Sequence, residues 1–187
     1  MDKRGLAAGV GVLALCLTFP AQAAPWAASG KAVAYAMPAI AVGIATWKHD
    51  WTGIAQLTVV TGLTVGTAYG LKQIVRECRP FEKPCTPNGP GWDSFPSTTS
   101  ALASAPSSFV WQRYGWEWGL PLFIISKYTS YSLDRAKKNR IWDGLASTVL
   151  AFGYNEIFTT RYHERRSFYT SLDAGPEGVY ASMHYRW

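Results

Sequence analysis

Lys72 and Arg79 stand just ahead of a proline-rich stretch, and an ammonium beside a guanidinium is what a phosphate group needs to be held. Further along, Ser97-Thr98-Thr99-Ser100 places hydroxyls before Ala101-Leu102-Ala103, where a helix start would offer unpaired N–H groups to an anion. A basic cluster of Arg135, Lys137, Lys138 and Arg140 follows, with Asn139 inside it and Asp143 shortly after. These residue types suit anion binding. Each also has a plainer reading. Lys72 and Arg79 would serve as helix-end surface charges, Ser97 as an N-cap, and the cluster as a solvated loop.

The groups needed to break a bond are harder to find. The three histidines, His49, His163 and His184, share no motif spacing and read as surface or interface residues. There is no Walker-type loop, dinucleotide fingerprint or zinc-spacing cluster, so no cofactor and no metal are expected. Ser/His/Asp hydrolase chemistry has no local signature here.

The elements that would position these residues are mainly helical. Ala27 to Trp47 is small, apolar and helix-compatible, with Pro38 as a kink. Trp51 to Val75 is a second helix, uncharged from Trp51 to Leu71 and long enough to span a bilayer. Its many threonines and glycines suit close helix packing and favour a buried core helix over a membrane span. Glu77 to Phe95 is a loop rich in proline. A helix is predicted from Ser97 towards Tyr114, interrupted at Pro106. Leu120 to Leu133 and Arg140 to Phe158 are the next two, joined by the polar connection Asp134 to Asn139. The tail changes character. Ser167 to Leu172 and Val179 to Trp187 have strand composition, the second alternating apolar and polar, around the turn residues Asp173 to Gly178, which predicts a β-hairpin.

The 187 residues suit one domain with a sizeable core. The formal net charge is +6 and the mean hydropathy -0.03. Without a long Lys/Arg run, the basic balance favours anionic lipid or a phosphorylated ligand over nucleic acid. Lys3 and Arg4, the apolar stretch Gly5 to Phe19, and Ala21-Gln22-Ala23 read as a signal peptide over 1–23, cleaved after Ala23. Export leaves Cys78 and Cys85 as an even pair, and a disulfide closing so short a loop would contribute roughly 2–3 kcal/mol.

Three segments in order resemble the signature blocks of the type 2 phosphatidic acid phosphatase family. Lys72 to Pro80 fits the first block, Lys, six residues, Arg-Pro, completely. Phe95-Pro96-Ser97-Thr98-Thr99 keeps Pro and Ser of the second block, with Thr98 for its Gly and Thr99 for its His. Ser132-Leu133, Asn139 and Asp143 follow the third block, with Leu133 for its Arg and Asn139 for its nucleophilic His. The resemblance covers roughly residues 30 to 160.

That resemblance implies a bundle of about five to six helices over 24–160, with a C-terminal β-hairpin tail over 161–187. It implies that Lys72, Arg79 and Ser97 hold phosphate, and that Arg135 or Arg140 stands in for the lost arginine. The family's histidines protonate the leaving group and attack phosphorus, and Asp143 matches the residue that orients the nucleophile. With Thr99 and Asn139 in their places, the expectation is an exported, periplasmic or envelope-associated pseudoenzyme binding a phosphorylated lipid or another anion. A phosphatase with substituted residues and a structural envelope protein are the alternatives. A membrane surface is a possible partner; nucleic acid is not expected. The oligomeric state is left open.

Overall fold

The computed structural model describes residues 26–80 and 91–162, together with the backbone of 168–175 and 178–185. The signal-peptide reading of 1–23 lies outside the described residues, as does Cys85.

Five helices are seen among the described residues: α1 (Trp26–Trp47), α2 (Trp51–Val75), α3 (Thr98–Tyr114), α4 (Trp116–Arg135) and α5 (Ile141–Phe158). The mainly helical bundle predicted from sequence is therefore observed. Short connections make neighbours antiparallel. Asp50 caps α2 by accepting from the Gly53 N–H at 2.9 Å. Gly115 alone joins α3 to α4 at φ 95, a backbone region open to glycine.

The central helix is α3, which packs against all four others. Its composition explains how. Ala101, Ala103, Ser104, Ala105, Ser107 and Ser108 are buried, and small side chains let neighbours approach closely. The expected break at Pro106 does not occur: the helix runs through it with Pro106 buried among its neighbours. α4 starts at Trp116 rather than Leu120 and runs through Pro121. Apolar residues of α1 to α4 form the main cluster, including Met37, Ile44, Leu57, Val60, Phe109 and Leu122.

α2 is not the buried core helix favoured from composition. Only one side is covered, leaving Val59, Leu63, Tyr69 and Ile74 exposed. Both α1 and α2 are long and apolar enough to cross a membrane. Exposed tryptophans mark the helix ends: Trp26, Trp47, Trp51, Trp116 and Trp142. Amphipathic indole rings favour such positions at a bilayer interface.

The hairpin pairs β1 (Phe168–Gly175) with β2 (Gly178–Tyr185), antiparallel, from Phe168↔Tyr185 to Gly175↔Gly178. The ladder is longer than expected. Asp173 and Ala174, assigned to the turn from sequence, pair with Tyr180 and Val179.

Candidate functional site

All three blocks meet at one end of the bundle, where α2 finishes and α3 and α5 begin. After α2, Arg76 takes a left-handed conformation (φ 47) and its N–H bonds the Lys72 carbonyl at 3.1 Å, turning the chain away. Two backbone bonds then clip the loop's start to its end: Arg79 N–H to the Gly91 carbonyl (2.7 Å) and Ser94 N–H to the Glu77 carbonyl (2.9 Å). These bonds bring Arg79 beside Asp93. Arg79 Nη2 lies 3.0 Å from Asp93 Oδ2 and 2.9 Å from Oδ1. Lys72, buried in the last turn of α2, donates its Nζ to the Asp93 main-chain carbonyl at 2.8 Å. Lys72 also lies within the fields of Arg79 and Asp143.

The second block enters through a cis Phe95–Pro96 bond and ends in Ser97, the N-cap of α3, whose Oγ accepts from Ser100 N–H at 3.3 Å. Ser97 is 1% exposed. Its N–H donates to the Asp143 carbonyl (3.3 Å) and its own carbonyl accepts from Ser147 Oγ (2.8 Å). The cap reading of Ser97 is thus observed directly.

The third block closes the cluster from α5. Asp143 Oδ2 accepts from Ser94 Oγ at 2.6 Å and from the Arg140 N–H at 2.8 Å. Asn139 donates its Nδ2 to the Ser94 carbonyl at 2.6 Å and lies 3.4 Å from Asp143 Oδ2. The amide thus sits between the 94–97 segment and Asp143. An amide nitrogen is conjugated and lacks a lone pair suited to attack on phosphorus. Thr99, in the first turn of α3, is half-buried, and a hydroxyl has no pKa near neutrality.

The structure therefore brings Lys72, Arg79, Ser97, Asn139 and Asp143 around residues 93–97. Arg135 points elsewhere, its guanidinium stacked over the Trp26 ring at 5.9 Å. Arg140 contributes its backbone, while its side chain pairs with Glu77 at 3.0 Å. Leu133 is 2% exposed and belongs to the packed interior. Cys78 is disulfide-bonded; its expected partner, Cys85, lies outside the described residues. His49 is exposed at the turn between α1 and α2, at the far end of α2 from Lys72. The side chains of His163 and His184 lie outside the described residues.

Sequence reasoning missed Asp93 and Ser94, which bind four of the five assembled residues. Their position directly before Phe95-Pro96-Ser97 was the available signal. It also missed a buried polar knot at the opposite end. There Arg113 pairs with Asp50 through Nε and, at 2.6 Å, through Nη2; Tyr114 adds its hydroxyl at 2.8 Å. Burial alone would raise the Asp50 pKa, but bonds from Arg113, Tyr114 and the Gly53 N–H hold it below the usual carboxylate range. A cavity of about 610 Å³ lies beside this knot, lined by Trp111, Tyr114, Trp116, Phe152 and Glu156 among others, and away from the three blocks.

The ordered blocks, carried on a helical bundle, resemble those of the type 2 phosphatidic acid phosphatase family. Among curated proteins, the chain is similar to a lipid A 4'-phosphatase of Helicobacter pylori (strain J99), 29% identical over 125 residues. The alignment covers 63% of this chain and 62% of the relative, so the chain spans less than two thirds of that protein's length. No protein-family model matches the chain, and no solved structure matches it. The likeness supports the resemblance carried by the three blocks. Together with α1 and α2, it also supports association with a membrane.

Proposed function

We propose that this chain is a catalytically impaired, phosphatase-like membrane protein that binds a phosphorylated lipid or a related anion through Lys72 and Arg79. The observation that carries this reading is the place of Asn139. Its amide lies 3.4 Å from Asp143 Oδ2, where the family resemblance calls for an imidazole oriented by that carboxylate. Two of the block cations, Lys72 and Arg79, are kept, Leu133 replaces the third, and both reactive positions are replaced. Loss of a general acid typically costs about 10²–10⁴-fold, and loss of nucleophile and acid together roughly 10⁶-fold. The retained contacts cannot offset that. Export through residues 1–23, with the site facing the periplasm, completes the proposal; the apolar stretch and the Ala-x-Ala site support it.

The test uses the full chain purified in detergent. Inorganic phosphate should raise its melting temperature, and Lys72→Ala or Arg79→Ala should abolish the rise. Turnover of a phosphorylated lipid or a generic phosphomonoester should stay at background. Hydrolysis well above background, lost in Asp143→Asn, would replace this reading with that of an active phosphatase. Absence of any phosphate response would leave an interaction protein instead.

A further inference from the structure

We propose that Asp93 is a tethered competitor for the anion, its carboxylate occupying the place that an incoming phosphate must take. This rests on the anion-binding reading above and specifies how that site is controlled. Asp93 meets both cations at once. Arg79 Nη2 touches both of its carboxylate oxygens, at 3.0 and 2.9 Å, and Lys72 Nζ lies 3.9 Å from Oδ2. Side-chain exposure rises from Lys72 (9%) through Arg79 (23%) to Asp93 (38%), so the carboxylate sits on the solvent side of the two cations. An ion pair this open to water is weak. A phosphate dianion brings more charge and more acceptor oxygens to the same donors.

Displacement of the carboxylate begins with a rotation of the Asp93 side chain. The backbone stays anchored: Lys72 Nζ is held by the Asp93 carbonyl, and the neighbouring Ser94 N–H by the Glu77 carbonyl. A ligand with a single negative charge gains little over the tethered carboxylate, whereas a phosphate monoester gains more. Asp93 therefore sets a threshold that favours dianionic ligands.

The experiment is calorimetric titration of the full chain in detergent with inorganic phosphate. Asp93→Asn should bind about 5-fold more tightly than wild type. Glu77→Gln, which removes a nearby charge paired with Arg140 rather than with the two cations, should stay within about 2-fold of wild type. Equal tightening in both variants would mean a general field effect and overturn the proposal. Unchanged affinity in Asp93→Asn, with binding still lost in Arg79→Ala, would overturn it while leaving the anion site intact. No binding by any form would sink the anion site and the proposal together. Should Asp93→Asn fail to fold, the Asp93 carboxyl ¹³C resonance of the wild-type chain decides. It should move on phosphate addition and saturate with the binding curve; a fixed resonance overturns the proposal.

Discussion

Replacing Asp143 separates its structural work from any chemical role. Its carboxylate is 1% exposed, and one oxygen collects Ser94 Oγ at 2.6 Å, the Arg140 N–H at 2.8 Å and, more loosely, Asn139 Nδ2 at 3.4 Å. Hydrogen bonds to a charged group contribute roughly 1.5–3 kcal/mol each, and the two short ones dominate. Asp143 also lies in the first turn of α5, where a negative charge is favoured by the helix dipole. Asp143→Ala leaves one buried and one half-buried donor without their acceptor and should cost about 3–5 kcal/mol. At this chain length that is a fall of roughly 10 °C in melting temperature. Asp143→Asn keeps an acceptor oxygen but loses the charge, and should cost about 1–3 kcal/mol. Thermal unfolding of the detergent-solubilised chain, followed by circular dichroism, reads both. An Asp143→Ala protein melting within about 2 °C of wild type would refute the idea that this carboxylate ties the three blocks together.

Other outcomes follow from the same geometry. Asp50 has a folded pKa below its unfolded value of about 3.9, so its contribution is present above that pH and is lost as pH falls towards the folded value. Wild-type melting temperature should therefore drop on acidification below about pH 4, and Asp50→Asn should show a smaller drop over the same window. Arg113→Met strands the buried Asp50 and should cost about 3–5 kcal/mol at neutral pH, with part of the loss recovered in the Asp50→Asn/Arg113→Met double variant. Gly119→Ala should destabilise by about 1–3 kcal/mol by urea titration, because an added Cβ would fall 2.3 Å from the Trp111 Cα, which is backbone and cannot swing aside. Thr99→His with Asn139→His should raise phosphomonoester hydrolysis by about 10²-fold or more over the parent. A folded, phosphate-responsive double variant that stayed inert would undo the alignment of the second and third blocks. Leu133→Arg is best left out of that set, since position 133 is 2% exposed and would bury an unpaired guanidinium.

Much of the scaffold was legible in the residues. Uncharged runs and turn residues placed α1 and α2 to within a residue, and the resemblance of the three blocks to a known family implied that Lys72, Arg79, Ser97, Asn139 and Asp143 lie near one another. What escaped was set by tertiary context. Pro106 disfavours an isolated helix, yet packing against all four other helices carries α3 through it. Arg135 was a fair substitute by charge, but its place at the end of α4 stacks it on Trp26. The roles of Asp93 and Ser94 depend on two backbone bonds across a loop, which no local pattern encodes. The pairing of Asp50 with Arg113 joins residues distant in the chain and carries no motif.

The seam between α3 and α5 is made of small and polar side chains whose bonds run from one helix to the other: Ser147 to the Ser97 carbonyl, Ser104 with Thr148, Asn155 to Ser108. That stitching fixes the relative height of the two helix starts, and therefore the distance between the second and third blocks. Thr99 takes no part in it, and Asn139 adds only its bond to the Ser94 carbonyl at the rim. The helix-to-helix bonds therefore hold the two block-bearing helix starts at a set height whichever side chain stands at position 99.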